Sequence, residues 1–116
     1  MTLRELADIL EAEVISGEQQ LDEEFSFAGA SDLMSDVLAF GKPGIVLLTG
    51  LASTQSLRIA DIIEAKAVVY VRGRRPAKEG IQFAEKKKIP ILSTDFLMYR
   101  ACGLLYRQGI LGIGDR

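Results

Sequence analysis

The sequence predicts an α/β domain built around parallel strands, and three observations carry that prediction. Ile45-Val46-Leu47-Leu48 and Ala67-Val68-Val69-Tyr70-Val71 are continuous apolar runs, the pattern of strands buried on both faces of a sheet, and Ile91-Leu92 is a shorter run of the same kind. Between these runs lie stretches of helical period. Ile59, Ile62 and Ile63 follow a Ser53 or Thr54 start, and Ala77, Ile81 and Ala84 follow Pro76, which suits the first turn of a helix. Strand, helix, strand, helix, strand with short connections implies two right-handed crossovers and three parallel strands, which need helical cover on both faces.

The flanking elements follow in order. Thr2-Leu3-Arg4-Glu5 has capping-box spacing, and Leu3, Leu6, Ala7 and Leu10 continue at helical spacing, so a first helix is predicted over residues 3–12. A short strand at Val14-Ile15 ends at Ser16-Gly17, and the polar run from Glu18 to Glu24 reads as a loop. Phe25 and Phe27 alternate with Ser26 and Ala28, a strand closing at Gly29. Ser31 or Asp32 then caps a helix carrying Leu33, Met34, Val37 and Leu38, which stops near Gly41 before Pro43. The helix after Pro76 ends in Lys86-Lys87-Lys88, charges that suit the negative end of its dipole.

The last helix is predicted to start from a Ser93-Thr94-Asp95 cap and to run to Gln108, before Gly109. Phe96, Leu97, Met98, Tyr99, Ala101, Cys102, Leu104, Leu105 and Tyr106 give it apolar surface nearly all the way round, more than one sheet face can cover. Two readings stand open: a central helix packed within its own domain, or a subunit interface presented by Phe96, Tyr99, Arg100, Gly103 and Tyr106. Gly103 permits close backbone approach in either case. The apolar tail from Ile110 to Gly114 extends that contact or docks on the domain.

Composition narrows the chemistry. A length of 116 residues suits one domain over 1–116, and 48% hydrophobic with 26% charged residues is ordinary globular usage. No stretch approaches the ~20 apolar residues of a membrane span, and the N-terminus lacks the form of a signal peptide, so a cytoplasmic location without a membrane partner is expected. Cys102 is the only cysteine and histidine is absent, which excludes an internal disulfide, zinc sites built on Cys and His, Cys-His pairs and Ser-His-Asp triads. No metal and no cofactor is expected.

The net charge of −2 conceals an asymmetry. Residues 1–65 carry 3 basic and 12 acidic side chains, whereas residues 66–116 carry 11 basic and 4 acidic ones. Such a split gives one acidic and one basic surface, suited to self-association or an anionic ligand, unless the two sets intermix in space.

In open parallel sheets ligands collect beyond the carboxyl ends of the strands. Those ends feed Thr49-Gly50-Leu51-Ala52-Ser53-Thr54, Arg72-Gly73-Arg74-Arg75-Pro76 and Ser93-Thr94-Asp95. Each loop is predicted to open a helix, so free backbone N–H groups, hydroxyls and three arginines converge on one edge as a candidate site for a phosphate or carboxylate. The competing reading assigns the hydroxyls to helix caps, the arginines to solvent and the glycines to turns.

Other chemistries fit poorly. Gly41-Lys42-Pro43-Gly44 resembles a phosphate loop, but Pro43 stands in the hydroxyl position and the segment precedes a strand instead of a helix. The arginine cluster has no interleaved aromatics and the chain is acidic overall, so no nucleic-acid partner is expected. Asp22, Glu23 and Glu24 form a solvated run, Asp95 reads as a cap and Cys102 as core, leaving no base-plus-nucleophile spacing and no enzyme.

Three blocks carry a family likeness: Gly29-Ala30-Ser31-Asp32-Leu33-Met34-Ser35-Asp36-Val37-Leu38, Gly44-Ile45-Val46-Leu47-Leu48-Thr49-Gly50, and Ile89-Pro90-Ile91-Leu92-Ser93-Thr94-Asp95-Phe96. Through them the segment from Gly29 to Gly109 resembles the DRTGG domain family and, more distantly, the N-terminal domain of HPr kinase/phosphorylase. The resemblance implies a three-layer α/β/α sandwich with a mostly parallel, mixed sheet, used as an accessory or regulatory unit that is not itself an enzyme. Relatives occur attached to phosphotransacetylases, beside nucleotide-sensing CBS domains in pyrophosphatases, where the domain contributes to dimerisation, and free-standing. Where the family's name-giving Asp-Arg-Thr-Gly-Gly would fall, this chain reads Gly50-Leu51-Ala52-Ser53-Thr54, and the terminal Gly114-Asp115-Arg116 lies at the wrong end of the fold to replace it. The expectation is a homodimeric, non-catalytic module that senses a small anionic ligand such as a nucleotide or phosphate and contacts a partner protein. The alternative is a structural interaction domain with no small-molecule ligand.

Overall fold

The computed structural model describes residues 1–115, so Arg116 lies outside it. The chain runs α1 (Leu3–Ile9), β1 (Glu13–Ser16), a 3₁₀ turn (Glu18–Gln20), β2 (Phe27–Ala30), α2 (Met34–Phe40) and β3 (Val46–Thr49). It continues α3 (Thr54–Ile62), β4 (Ala67–Tyr70), α4 (Lys78–Lys87), β5 (Ile91–Ser93), α5 (Met98–Arg107) and β6 (Leu111–Gly112). The sheet order is β1-β5-β4-β3-β2-β6, with every neighbouring pair parallel except antiparallel β1–β5.

Period-two alternation along the strands explains the three layers. Val46, Leu48, Val69, Val71 and Leu92 face Leu3, Leu6 and Leu10 of the α1 region and Ala101 and Leu105 of α5. On the other face Leu47 packs with Met34 and Val37 of α2 and Ile59 of α3, while Val68, Tyr70 and Ile91 pack with Leu57 of α3 and Ala84 of α4. The crossover helices α2, α3 and α4 thus cover one face and the terminal helices the other. The mixed sheet and three-layer sandwich expected from the resemblance are what the chain adopts.

Local signals explain most boundaries. At α1 the Glu5 N–H donates to Thr2 Oγ1 at 3.1 Å and the Thr2 N–H donates to Glu5 Oε1 at 2.9 Å, the capping box expected. The helix ends at Ile9, short of residue 12, because Glu11 turns the chain through φ 49°. Gly17, at φ 89°, makes the turn after β1, where a β-carbon would lie 2.7 Å from Pro90 Cα.

Several expected elements shift. The second strand starts at Phe27 because Phe25 turns into the core beneath α1. Neither Ser31 nor Asp32 caps α2; its cap is Leu33, and Asp32 is drawn away to β3. Pro76 precedes the α4 cap, Ala77, instead of sitting in the first turn. Ile62 lies outside the core at 66% exposure. The last helix opens at Met98 with Leu97 as cap, since the Ser93 and Thr94 hydroxyls bond elsewhere. That helix is amphipathic: Ala101 and Leu105 are buried, Met98, Cys102 and Leu104 are half-buried, and Tyr99 and Tyr106 are exposed.

The charge halves intermix. Among the described residues, Glu23–Lys66, Glu13–Arg75 and Asp61–Lys87 join acidic side chains of the first half to basic ones of the second.

Candidate ligand site at the carboxyl ends of the strands

Parallel β2, β3, β4 and β5 end at Ala30, Thr49, Tyr70 and Ser93, and the three loops singled out in the sequence meet at that edge. The Val71 N–H donates to Thr49 O at 3.0 Å, the Arg72 N–H to Phe96 O at 2.9 Å and the Gly73 N–H to Thr94 O at 2.8 Å. Arg72 adopts φ 60° and Gly73 φ 68°, so consecutive left-handed residues turn both amides onto the loop after β5. Ser93 Oγ donates to Arg74 O at 2.7 Å and fastens the same two loops from the other side.

At the centre stands Gly50. The Arg72 guanidinium lies directly over it, with Nη2 at 2.7 Å from where a β-carbon would be. On its other flank Asp32 Oδ1 accepts from the Gly50 N–H at 2.6 Å and from Thr49 Oγ1 at 3.1 Å. An acid and a base therefore bracket Thr49-Gly50 although neither is adjacent in sequence. Asp32 is the member of this candidate site that the sequence does not reveal, because its hydrogen bonds depend on β2 lying beside β3 and no local signal distinguishes it from a helix cap.

The candidate residues divide by what already engages them. Thr94 Oγ1 donates to Leu10 O at 2.7 Å in the interior, and the Ser93 hydroxyl is held by Arg74 O. Arg75 makes two bonds to the Glu13 carboxylate at 2.9 and 3.0 Å. Those bonds hold the Glu13 carboxyl below the usual carboxylate range and raise the guanidinium in turn. Asp95 is exposed, with Oδ1 3.0 Å from a β-carbon position on Gly73.

Arg72 and Arg74 are exposed and form no ion pair among the described residues. Ser53 caps α3 only through its backbone; its Oγ is buried with no hydrogen-bond partner. Ala77 at the start of α4 offers no side-chain cap either, and a β-carbon on Gly80 would lie 3.6 Å from Thr54 Oγ1. Two helix starts without side-chain caps thus lie close together, and the unpaired Arg72 guanidinium leans over Gly50 in the loop that leads to the first of them, chemistry suited to a phosphate or carboxylate.

The outer face of α5 stands apart from this edge. Tyr99 is 92% and Tyr106 62% exposed, with nothing within 4 Å of a β-carbon position on Gly103 between them. Phe96 packs against the core, its ring covered by Arg100 at 4.0 Å from the centroid. Burial pushes the Cys102 thiol upward, which keeps it protonated and weakly nucleophilic. No helix is long and apolar enough to cross a membrane among the described residues.

No family model matches the chain, and no curated protein matches it. Among solved structures it is similar to the crystal structure of the CBS and DRTGG domains of the regulatory region of Clostridium perfringens pyrophosphatase, complexed with the activator diadenosine tetraphosphate. The TM-score is 0.74 at 19% identity, over 90% of this chain and 45% of that one. The present chain therefore spans less than half the length of that neighbour. The likeness lies in the fold, and it agrees with the three blocks read from the sequence: the chain carries a DRTGG-like α/β fold.

Proposed function

We propose that this chain, acting as one domain over 1–116, is a non-catalytic regulatory module that senses a small anionic ligand, of the nucleotide or phosphate class, at the carboxyl ends of its strands. One observation carries the reading: the uncapped starts of α3 and α4 meet beside Arg72, which leans over Gly50, with Ser53 Oγ turned inward without a partner. The fold neighbour, a regulatory region crystallised with a nucleotide activator, supports it. Asp32 acts in this scheme as an internal anion that holds the Gly50 N–H until a ligand competes for it. Self-association through Tyr99, Gly103 and Tyr106, contact with a partner protein and a cytoplasmic location complete the proposal.

Calorimetric titration with inorganic phosphate, AMP and diadenosine tetraphosphate tests it. Binding below the millimolar range that weakens about tenfold or more in Arg72→Ala is expected. The absence of binding up to millimolar ligand sinks the sensing role. A monomer by light scattering at working concentration sinks the dimer. A second reading, a structural interaction domain, is favoured by the internal use of the Ser93, Thr94 and Gly50 donors, and it predicts no titration signal at all.

A further inference from the structure

We infer a second binding site, for an uncharged planar heterocycle of the nucleobase class, at the open half of the β2 edge. β6 pairs with β2 only at Phe27↔Leu111 and Ala28↔Gly112. Residues of β2 alternate between their neighbours. The Ser31 N–H donates to Leu48 O on β3, whereas the Ala28 carbonyl accepts from the Ile113 N–H on the other side. By that alternation the Ala30 N–H and carbonyl both face outward past the end of β6, where the chain turns back and the Asp115 N–H closes on Gly112 O.

This donor–acceptor pair borders a cavity of about 350 Å³, walled by Phe40, Cys102, Leu105, Tyr106 and Ile113 and lined by no charged side chain. The volume lies at the low end of the ~300–1,000 Å³ of small-molecule sites, room for a ring system and little more. A charged ligand would be desolvated there without compensation, and a hydrocarbon would leave the Ala30 groups unsatisfied. A flat neutral ring with neighbouring donor and acceptor satisfies both and stacks against Phe40 or Tyr106. An extended peptide is the poorer occupant, because of the two β2 residues beyond the last β6 rung, Gly29 and Ala30, only Ala30 turns its backbone groups outward.

The site adjoins the anion-sensing edge, since β2 ends at Ala30 two residues before Asp32, but it uses none of the donors assigned to that edge, and a phosphate-free probe separates the two. Adenosine is titrated into the ¹⁵N-labelled full chain, with inorganic phosphate and benzene as comparators. Adenosine is expected to shift the amides of Ala30 and of residues 105–113 while leaving those of residues 50–54 and 72–75 in place. Cys102→Phe, which fills the cavity with apolar atoms, and Ala30→Pro, which removes the donor at an edge position, should each weaken the shifts about tenfold. Tyr106→Ala, at an exposed wall, serves as a third variant if either fails to fold. Absence of shifts at the solubility limit, equal response to benzene, or undiminished binding in the folded variants overturns the site.

Discussion

Tyr70 is fully buried, and burial pushes its hydroxyl from an ordinary 10.0 up to about 12, with the 2.7 Å hydrogen bond to Ser56 Oγ acting in the opposite direction. The folded state thus holds the phenol proton more tightly than the unfolded state. Its contribution is complete below pH ~10 and is lost as pH rises from there through ~12. At pH 11 the loss amounts to roughly 1 kcal/mol. Urea unfolding at pH 8 and pH 11 should therefore show a steeper alkaline decline in the natural chain than in Tyr70→Phe, and parallel declines would exclude this linkage. Gly17 and Gly50 make a contrasting pair at the same scale. Gly17→Ala meets rigid Pro90 at 2.7 Å under a left-handed φ and should cost about 2 kcal/mol or more. Gly50→Ala meets only the flexible end of Arg72, so it should cost under about 1 kcal/mol while displacing the guanidinium and weakening phosphate binding. Equal losses of stability in the two variants would contradict the geometry.

At the scale of elements, the parts legible in the sequence are those specified by local chemistry or by burial on both faces. The Thr2–Glu5 box, the runs that became β3 and β4, and the lysines closing α4 all announce themselves within a few residues. What escaped was decided by partners far along the chain. Ser93 and Thr94 look like a helix cap, yet Thr94 reaches Leu10 and Ser93 reaches Arg74, which delays α5 to Met98. Asp32 looks like another cap until β3 offers it the Gly50 N–H. β6, with two residues and two glycines nearby, has no periodicity to read. For the site, the three loops were legible from topology, whereas the partners that consume or free each donor were not. The same logic predicts that Asp32→Ala frees the Gly50 N–H and tightens phosphate binding several-fold in calorimetry. Unchanged or weaker binding would show that Asp32 does not compete with the ligand.

At the scale of the molecule, strands β2 to β5 lie side by side in chain order, each joined to the next by one helix, while the first and last strands are carried to the outer edges. Amide exchange should accordingly be slowest in β3 and β4, which are paired on both sides, and fastest in β6 with its two rungs. Faster exchange in β4 than in β6 would refute that ranking. The placement of the end strands has a further consequence. A parallel sheet with bare flanks invites pairing with a neighbouring molecule, and here β1 and β6 stand as fenders against it. Of the two, β6 shields only part of β2, so loss of residues 110–115 would turn the flank from Phe27 to Ala30 into a template for fibrous assembly.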